Sequence, residues 1–431
     1  METLRIIAAS FLQKTGHSKL ARGFAKGAPC GSALCDSPAR LALVHKGGDC
    51  LQDTKTCPGA GGAARLFRAL LLLAAAVMVV LSLAPAAQAA EEQDASTRYV
   101  VPLGKAVGIK LFAQGVLVVG LSDLTTDQGL ASPARACGLQ AGDVITHING
   151  TQVSSIEAVQ AMLQELQGQA MTLTITRNDV SQEITAHAAQ SSDDGQYKLG
   201  AWIRDSMAGI GTLTFADPET GLFGTLGHGI NDVDTAVLMK LQSGAITPAS
   251  VAGVVKGMNG RPGELRGAFS SSQTLGTLYA NTQSGVFGYL QDPEAVTGTP
   301  VPVAQEAEVH TGQATILSNV SGTQVEEYTV EILKVYDDSR DTRDLMLRVT
   351  DPRLLEQTGG IVQGMSGSPI LQDGKLVGAV THVLVDHADR GYGILAQNML
   401  DQAQQAQTTC PLPGSRCSDC RDTYLTWALW P

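Results

Sequence analysis

Apolar residues along this chain recur mostly with the two-residue period of β-strands, in short runs broken by Gly, Pro, Asn and Asp. The clearest runs are Gly115 to Leu121, Val144 to Ile148, Met171 to Thr176, Ile210 to Phe215, Leu222 to Leu226, Val251 to Val255, Val330 to Val335 and Leu345 to Thr350. The breaks carry turn chemistry, as at Asn149-Gly150, Asp217-Pro218 and Asp373-Gly374. One stretch changes period: Ser154-Ser155 supplies a cap, and Val159, Met162, Leu163 and Leu166 then fall on one face of a helix. Many short strands with Gly/Pro turns predict a mainly β protein whose second half reads as a pair of β-barrels.

A different pattern precedes these strands. Ala69 to Ala87 carries no charge over nineteen residues, follows Arg65 and Arg68, and ends in Ala87-Gln88-Ala89. The length suits a membrane-spanning helix, and the basic front with the Ala-x-Ala end suits a secretory signal. Either form exports the chain beyond it. Residues 1–68 carry ten Lys/Arg against four Asp/Glu, whereas the chain after position 90 carries 20 against 37. That asymmetry obeys the positive-inside rule and gives an acidic ectodomain, which argues against a nucleic-acid partner. The expected organisation is a cytoplasmic extension or start artefact at 1–68, a signal or transmembrane segment at 69–90, a first domain at 97–190, a polar linker at Gln190 to Gly195, a second domain at 196–404 and an atypical tail at 405–431.

Of eight Cys, four lie before position 60, Cys137 is alone in the first domain, and Cys410, Cys417 and Cys420 are in the tail. Cys417 and Cys420 have the spacing of a zinc knuckle but no matching second pair or His, so no metal site is expected. No phosphate-binding glycine loop or cofactor fingerprint appears, and no cofactor is expected.

The chemistry concentrates in Gly364-Met365-Ser366-Gly367-Ser368-Pro369, which feeds a short Ile-Leu strand, the Asp373-Gly374 turn and the apolar run Leu376 to Val380. A hydroxyl is a poor nucleophile at neutral pH and needs an adjacent base and a bent backbone that aims amides at the developing oxyanion. Glycines on both sides of a serine permit that bend, and a backbone hole leaves the side chain at Met365 free. Among eight His, His17 and His45 precede the membrane segment, while His228 ends an apolar run in Gly227-His228-Gly229, where a general base should sit. His382 and His387 are rival bases, but both follow the serine. Asp351 closes a strand-like run ahead of Ser366 and gives the order His, Asp, Ser. Asp351 also precedes Pro352 and suits a helix N-cap, with Asp232, Asp234 and Asp341 as other acids.

The serine loop resembles that of trypsin-like serine peptidases. Together with Gly-His-Gly at 227–229 and Thr-Asp-Pro-x-Leu-Leu at 350–355, it resembles the SpoIVB (stage IV sporulation protein B) peptidases over about Val101 to Met399. The resemblance implies His228 as base, Asp351 as its orienting carboxylate, Ser366 as nucleophile, and the Gly364 and Ser366 amides as oxyanion hole. It further implies an enzyme made in the forespore that acts between the forespore and mother-cell membranes. There it would cleave itself and then a membrane-bound regulator of the protease that processes pro-sigma-K.

The first domain, with Gly138 to Gly150, the capped helix and the strand from Met171, resembles a PDZ domain. Such domains take an extended peptide as an added strand and hold its carboxylate in a backbone nest. The segment matching that loop contains Val107, Gly108, Ile109 and Lys110. The expected fold is therefore a PDZ domain followed by a trypsin-like double β-barrel, with peptide substrates and, as rivals, a non-catalytic PDZ scaffold or an envelope quality-control protease.

Overall fold

The computed structural model describes residues 97–270, 273–336 and 342–409. Among these residues no helix is long and apolar enough to cross a membrane. The expected signal or transmembrane segment at 69–90, the extension before it and the chain from 410 onward lie outside the described residues.

The chain opens with a single long strand, β1 (Tyr99–Leu121). The PDZ-like region comes next, with β2 (Val144–Ile148), helix α1 (Ile156–Leu166), β3 (Met171–Arg177) and β4 (Val180–Ala186). Helix α1 starts where its sequence predicts: the Ser155 side chain accepts from Ala158 N at 3.1 Å, and Gln167 ends the helix in the left-handed region. Its apolar face buries Val159 and Leu163 against Ile145, Ile148, Leu173 and Ile175 from the sheet. Each such side chain contributes about 1.5–3 kcal/mol by its burial.

Six strands then close on themselves. In chain order they are β1, β5 (Ala201–Ala216), β6 (Leu222–Thr225), β7 (Leu241–Val255), β8 (Gly276–Thr282) and β9 (Gly285–Leu290). Pairing runs β1-β5-β6-β9-β8-β7 and returns to β1, so the ring has no free edge. A second closed barrel contains β10 (Gly312–Ser321), β11 (Gln324–Val335), β12 (Leu345–Val349), β13 (Pro369–Gln372), β14 (Lys375–Leu384) and β15 (His387–Leu395). Helix α2 (Pro352–Thr358) leaves β12, and helix α3 (Ala396–Thr409) packs Ala396, Met399, Leu400 and Ala403 against Phe215 and Phe287 of the first barrel. The two barrels are the double-barrel architecture that the strand pattern predicts.

Some expectations need correction. Val107, Gly108, Ile109 and Lys110 are not a peptide-binding loop: they lie mid-strand in β1, paired with Gly211 to Ala208 on one edge and with Pro248 to Ala245 on the other. Both sets of backbone groups are thereby used, and only Lys110 of the four is exposed. The two regions on either side of about 190 share strands, because β1 and β5 each run through both: Leu117 to Leu121 pair with Arg204 to Ala201, and Lys105 to Phe112 pair with Leu213 to Ser206. The bend between these stretches falls at Gly115, whose φ is +94° and where a Cβ would meet Ile145 O at 2.8 Å. Finally, Gln190 to Gly195 is a tight turn and not a free linker, since Ala189–Gln190 pairs with Tyr197–Lys198. Helix α3 likewise runs past the expected domain end at Gln404.

Candidate active site

His228 follows the third strand of the first barrel, and Ser366 lies between the third and fourth strands of the second. The two positions are equivalent in the two barrels. After β6 the chain turns through Leu226 and Gly227, both left-handed, with φ of +71° and +68°. A left-handed leucine costs about 1 kcal/mol or more and persists only where packing over-determines it. Here Leu226 is buried among Val107, Ile109 and Leu213. A Cβ on Gly227 would meet Thr381 Cγ2 at 2.9 Å, so the base loop lies directly on β14.

His228 Nδ1 is 2.9 Å from the carbonyl of Gly229. A carbonyl only accepts, so Nδ1 carries the proton and Nε2 is left with the lone pair a general base uses. Burial of the ring lowers its pKa below the ordinary value, and the Gly229 bond only partly opposes this. The imidazole is therefore neutral at pH 7. Its loop is held by the β8–β9 hairpin: the Asn281 amide accepts from Ile230 N at 2.9 Å and donates to the carbonyls of Ile230 and Met239 at 3.0 and 2.8 Å, and Gly229 N donates to Gln283 O at 3.2 Å.

The nucleophile loop shows an alternation. Met365 N donates to Val362 O at 3.1 Å, Gly367 N to Val380 O at 2.7 Å and Ser368 N to Met365 O at 2.9 Å. Among the described residues the intervening N–H groups of Gly364 and Ser366 meet no acceptor. Two free amides, the serine's own and that of Gly364, are the donors an oxyanion would take. Met365, which amide chemistry leaves unconstrained, is fully buried in the second barrel's core, and Ser368 is buried with its hydroxyl donating to Ser318 Oγ at 3.1 Å. Ser366 Oγ donates to Thr381 O at 2.8 Å.

Beside that carbonyl stands His382, whose ring centroid is 5.2 Å from that of His228. Its Nδ1 is buried without a partner. Desolvation, then the neighbouring His228 and Arg343, push its pKa down to about 3, which makes it a poor base. His387, the other rival, is exposed at the start of β15.

Asp351 stands apart from this cluster. It is the N-cap of α2, with Oδ1 accepting from Arg353 N at 2.9 Å and Oδ2 from Arg353 Nη2 at 2.9 Å and Thr329 N at 3.3 Å. The hydrogen bond from Arg353, with backbone bonds behind it, lowers its pKa against the effect of burial. No bond joins it to His228, so its expected role as orienting carboxylate gives way to the cap reading that Pro352 at the first helical position also suggests. Asp232 is buried but taken by Arg204 and Thr235, Asp234 pairs with the same Arg204, and Asp341 lies outside the described residues. Among the described residues no three His, Cys, Asp or Glu side chains converge as a metal site would require.

A groove of about 320 Å³ lies between α1 and residues 197–203, with Ile145, Val159, Leu163, Leu199 and Ile203 among its apolar walls. Trp202 is also part of its lining and is 66% exposed. Ser122 N donates to Gly200 O at 2.8 Å, and Gly120 pairs with Trp202, so the backbone groups of Gly200 and Trp202 face β1. Alternation then turns the N–H and C=O of Ala201 and Ile203 away from β1, toward α1. This is an open strand edge beside an apolar helix face, the form that accepts an added peptide strand. It takes the place of the Val107 to Lys110 segment as the candidate peptide site.

Two six-stranded barrels, with a serine beside two free amides on one and a neutral histidine on the other, define the class of double-barrel serine peptidases. Residues 195–400 match the SpoIVB peptidase S55 family and residues 126–177 match a PDZ domain. The chain thus carries a SpoIVB-like serine peptidase region and, ahead of it, a PDZ-like region. It is similar to the zinc metalloprotease RasP of Shouchella clausii (strain KSM-K16), at 32% identity over 129 residues that make up 28% of this chain and 30% of that protein. Among solved structures, the active form of the Rv3671c protease from M. tuberculosis is similar at 15% identity and a TM-score of 0.30, covering 46% of this chain and 74% of that one. The HtrA-type protease AlgW with a decapeptide is similar at 12% identity and a TM-score of 0.29, covering 51% and 56%.

Proposed function

We propose that this protein is an exported endopeptidase in which Ser366 attacks a peptide carbonyl while His228 Nε2 takes its proton. The observation that carries the reading is the pair of acceptor-free amides at Gly364 and Ser366, on a loop that shares the Thr381-His382 segment with His228. In this scheme the Ser366 hydroxyl leaves Thr381 O by a χ1 rotation and turns to Nε2. The carbonyl of the substrate opens to a tetrahedral oxyanion held by the Gly364 and Ser366 N–H groups. The protonated His228 then delivers its proton to the leaving amine, and water releases the acyl group by the reverse sequence.

The groove beneath α1 would dock an extended peptide segment beside Ala201 and Ile203, from a substrate or from another part of the chain. Family resemblance supports a finer reading: self-cleavage, then cleavage of a membrane-bound regulator to trigger pro-sigma-K processing, in the space between forespore and mother-cell membranes. A non-catalytic PDZ scaffold is the second reading, and what favours it is the Ser366 hydroxyl committed to Thr381 with no carboxylate on His228 among the described residues.

One experiment separates the two. The full chain and its Ser366→Ala variant are compared for labelling by a serine-directed fluorophosphonate and for self-cleavage. Labelling and cleavage of the wild type alone support the peptidase. A folded wild type that neither labels nor cuts removes it in favour of the scaffold.

A further inference from the structure

The nucleophile loop is gripped by one residue of the opposite barrel. Thr212, in β5, is 1% exposed, and its N–H donates to Ser366 O at 3.0 Å while its hydroxyl donates to Gly364 O at 2.8 Å. The carbonyl preceding each of these is anchored from elsewhere: Gln363 O accepts from Leu265 N at 2.8 Å and Met365 O from Ser368 N at 2.9 Å. In a trans peptide the N–H and the C=O point in opposite directions. Anchoring Gln363 O therefore aims Gly364 N–H, and anchoring Met365 O aims Ser366 N–H. In the two remaining peptide planes, 364–365 and 366–367, the N–H groups go to Val362 O and Val380 O, and the carbonyls are those that Thr212 holds.

The first of these planes is the one at risk. Gly364 has a φ of +97° and no side chain to resist a rotation of the peptide on its C-terminal side, which is held only at its two ends, by Thr212 Oγ1 on the Gly364 carbonyl and by the 3.1 Å bond from Met365 N to Val362 O. Turning that peptide would swing the Gly364 carbonyl toward the amide side of the loop and set an acceptor where the oxyanion needs donors. The second plane is backed by contact, since a Cβ on Gly367 would meet Thr212 O at 2.1 Å and Leu226 N at 2.6 Å. Thr212 also reaches the base: its carbonyl accepts from Thr225 Oγ1 at 2.6 Å and from Leu226 N at 3.4 Å, and Leu226 stands two residues before His228.

We infer that Thr212 is a positioning residue for the serine chemistry, its hydroxyl setting the 364–365 peptide and its carbonyl registering the base-bearing loop against the nucleophile. This rests on Ser366 being the nucleophile. Thr212 touches no reacting atom and acts through Gly364, Ser366 and Leu226.

The test compares the full chain with Thr212→Val, which keeps shape and N–H but loses the hydroxyl, and Thr212→Ser, which keeps the hydroxyl. The measurements are the fluorophosphonate labelling rate, kcat and KM on a peptide substrate, and thermal unfolding. Thr212→Val is expected to lower the labelling rate and kcat by about 10–100-fold with KM nearly unchanged, as small misplacements of catalytic groups do. Thr212→Ser is expected to recover most of the loss. A folded Thr212→Val that labels at the wild-type rate, or a Thr212→Ser as slow as Val, overturns the inference. If Val fails to fold, Thr212→Ala against Thr212→Ser makes the same comparison. A wild type that does not label removes the peptidase reading and this inference together, whereas a labelled wild type with an unaffected Val removes Thr212 alone.

Discussion

The Ser366 hydroxyl spends its one proton on the carbonyl of Thr381, 2.8 Å away, so the nucleophile in this structure is parked and not yet bonded to its base. Releasing it forfeits one hydrogen bond, a net cost of about 1 kcal/mol. Ser366→Ala should therefore change stability by no more than about 1 kcal/mol while abolishing fluorophosphonate labelling. His228→Gln should slow labelling by about 10²-fold or more, the usual contribution of a general base. Thermal melts alongside gel fluorescence of labelled protein check both, and a labelled Ser366→Ala would place the nucleophile elsewhere.

Asp351 makes the opposite prediction. Its carboxylate caps α2 and holds Thr329 N, so Asp351→Ala should destabilise by about 1–3 kcal/mol, chiefly through the lost cap and the orphaned amides. The pairing with Arg353 adds little, because that side chain is 59% exposed. Since the folded carboxylate titrates below its ordinary value, this stability is present above about pH 4 and is lost as pH falls further. Labelling rate per folded molecule should stay near wild type. A loss of about 100-fold with an unchanged melting temperature would return Asp351 to the catalytic machinery.

The two histidines set the acid side of the profile. Both His228 and His382 have folded pKa values below the ordinary one through desolvation, so the unfolded chain binds more protons as pH drops through about 6.5. Stability should then rise with pH up to that point and level off above it. Urea midpoints at pH 5 and 7.5 test this, and His382→Phe should make the difference smaller. For the same reason the acid limb of kcat/KM, which reports the free base, should fall below pH 6.5, the ordinary histidine value. A limb at or above the ordinary value would mean that His228 is solvated or faces an acid in the active conformation.

How far the sequence carried depended on how local each signal is. The capped helix at Ser155, the Asn149-Gly150 and Asp373-Gly374 turns and the serine loop are written in a few adjacent residues, and local physics decides them. The Val107 to Lys110 segment misled because an apolar Gly-containing run can be a binding loop or a barrel strand, and only the pairing of β1 with both β5 and β7 decides. Asp351 was ambiguous for a similar reason, its Pro352 neighbour speaking for a cap and its place between His228 and Ser366 in the chain for a triad. Thr212 and Asn281 left no sequence signal at all: they matter through contacts 152 and 51 residues away along the chain. Trp202 could have been found, since an exposed-type tryptophan just after Leu199-Gly200 sits where a strand begins, but the edge it marks is visible only once β1 is placed.

The groove under α1 yields the last prediction. If Ala201 and Ile203 present the free edge, an extended peptide binds there and covers Trp202, which is 66% exposed and lines the groove. Trp202 fluorescence should therefore shift to the blue on titration with a short peptide ending in an apolar residue, and Trp202→Phe should remove the signal. Gln160→Trp, on the groove wall, should weaken binding by filling the space, at least about tenfold for a group that occludes the site. Lys110→Ala should leave affinity unchanged, because Lys110 sits in a strand already paired on both edges. The comparison is decisive between the two placements: a peptide whose affinity falls with Lys110→Ala and ignores Gln160→Trp would be bound at β1, against the pairing that now occupies both of its edges.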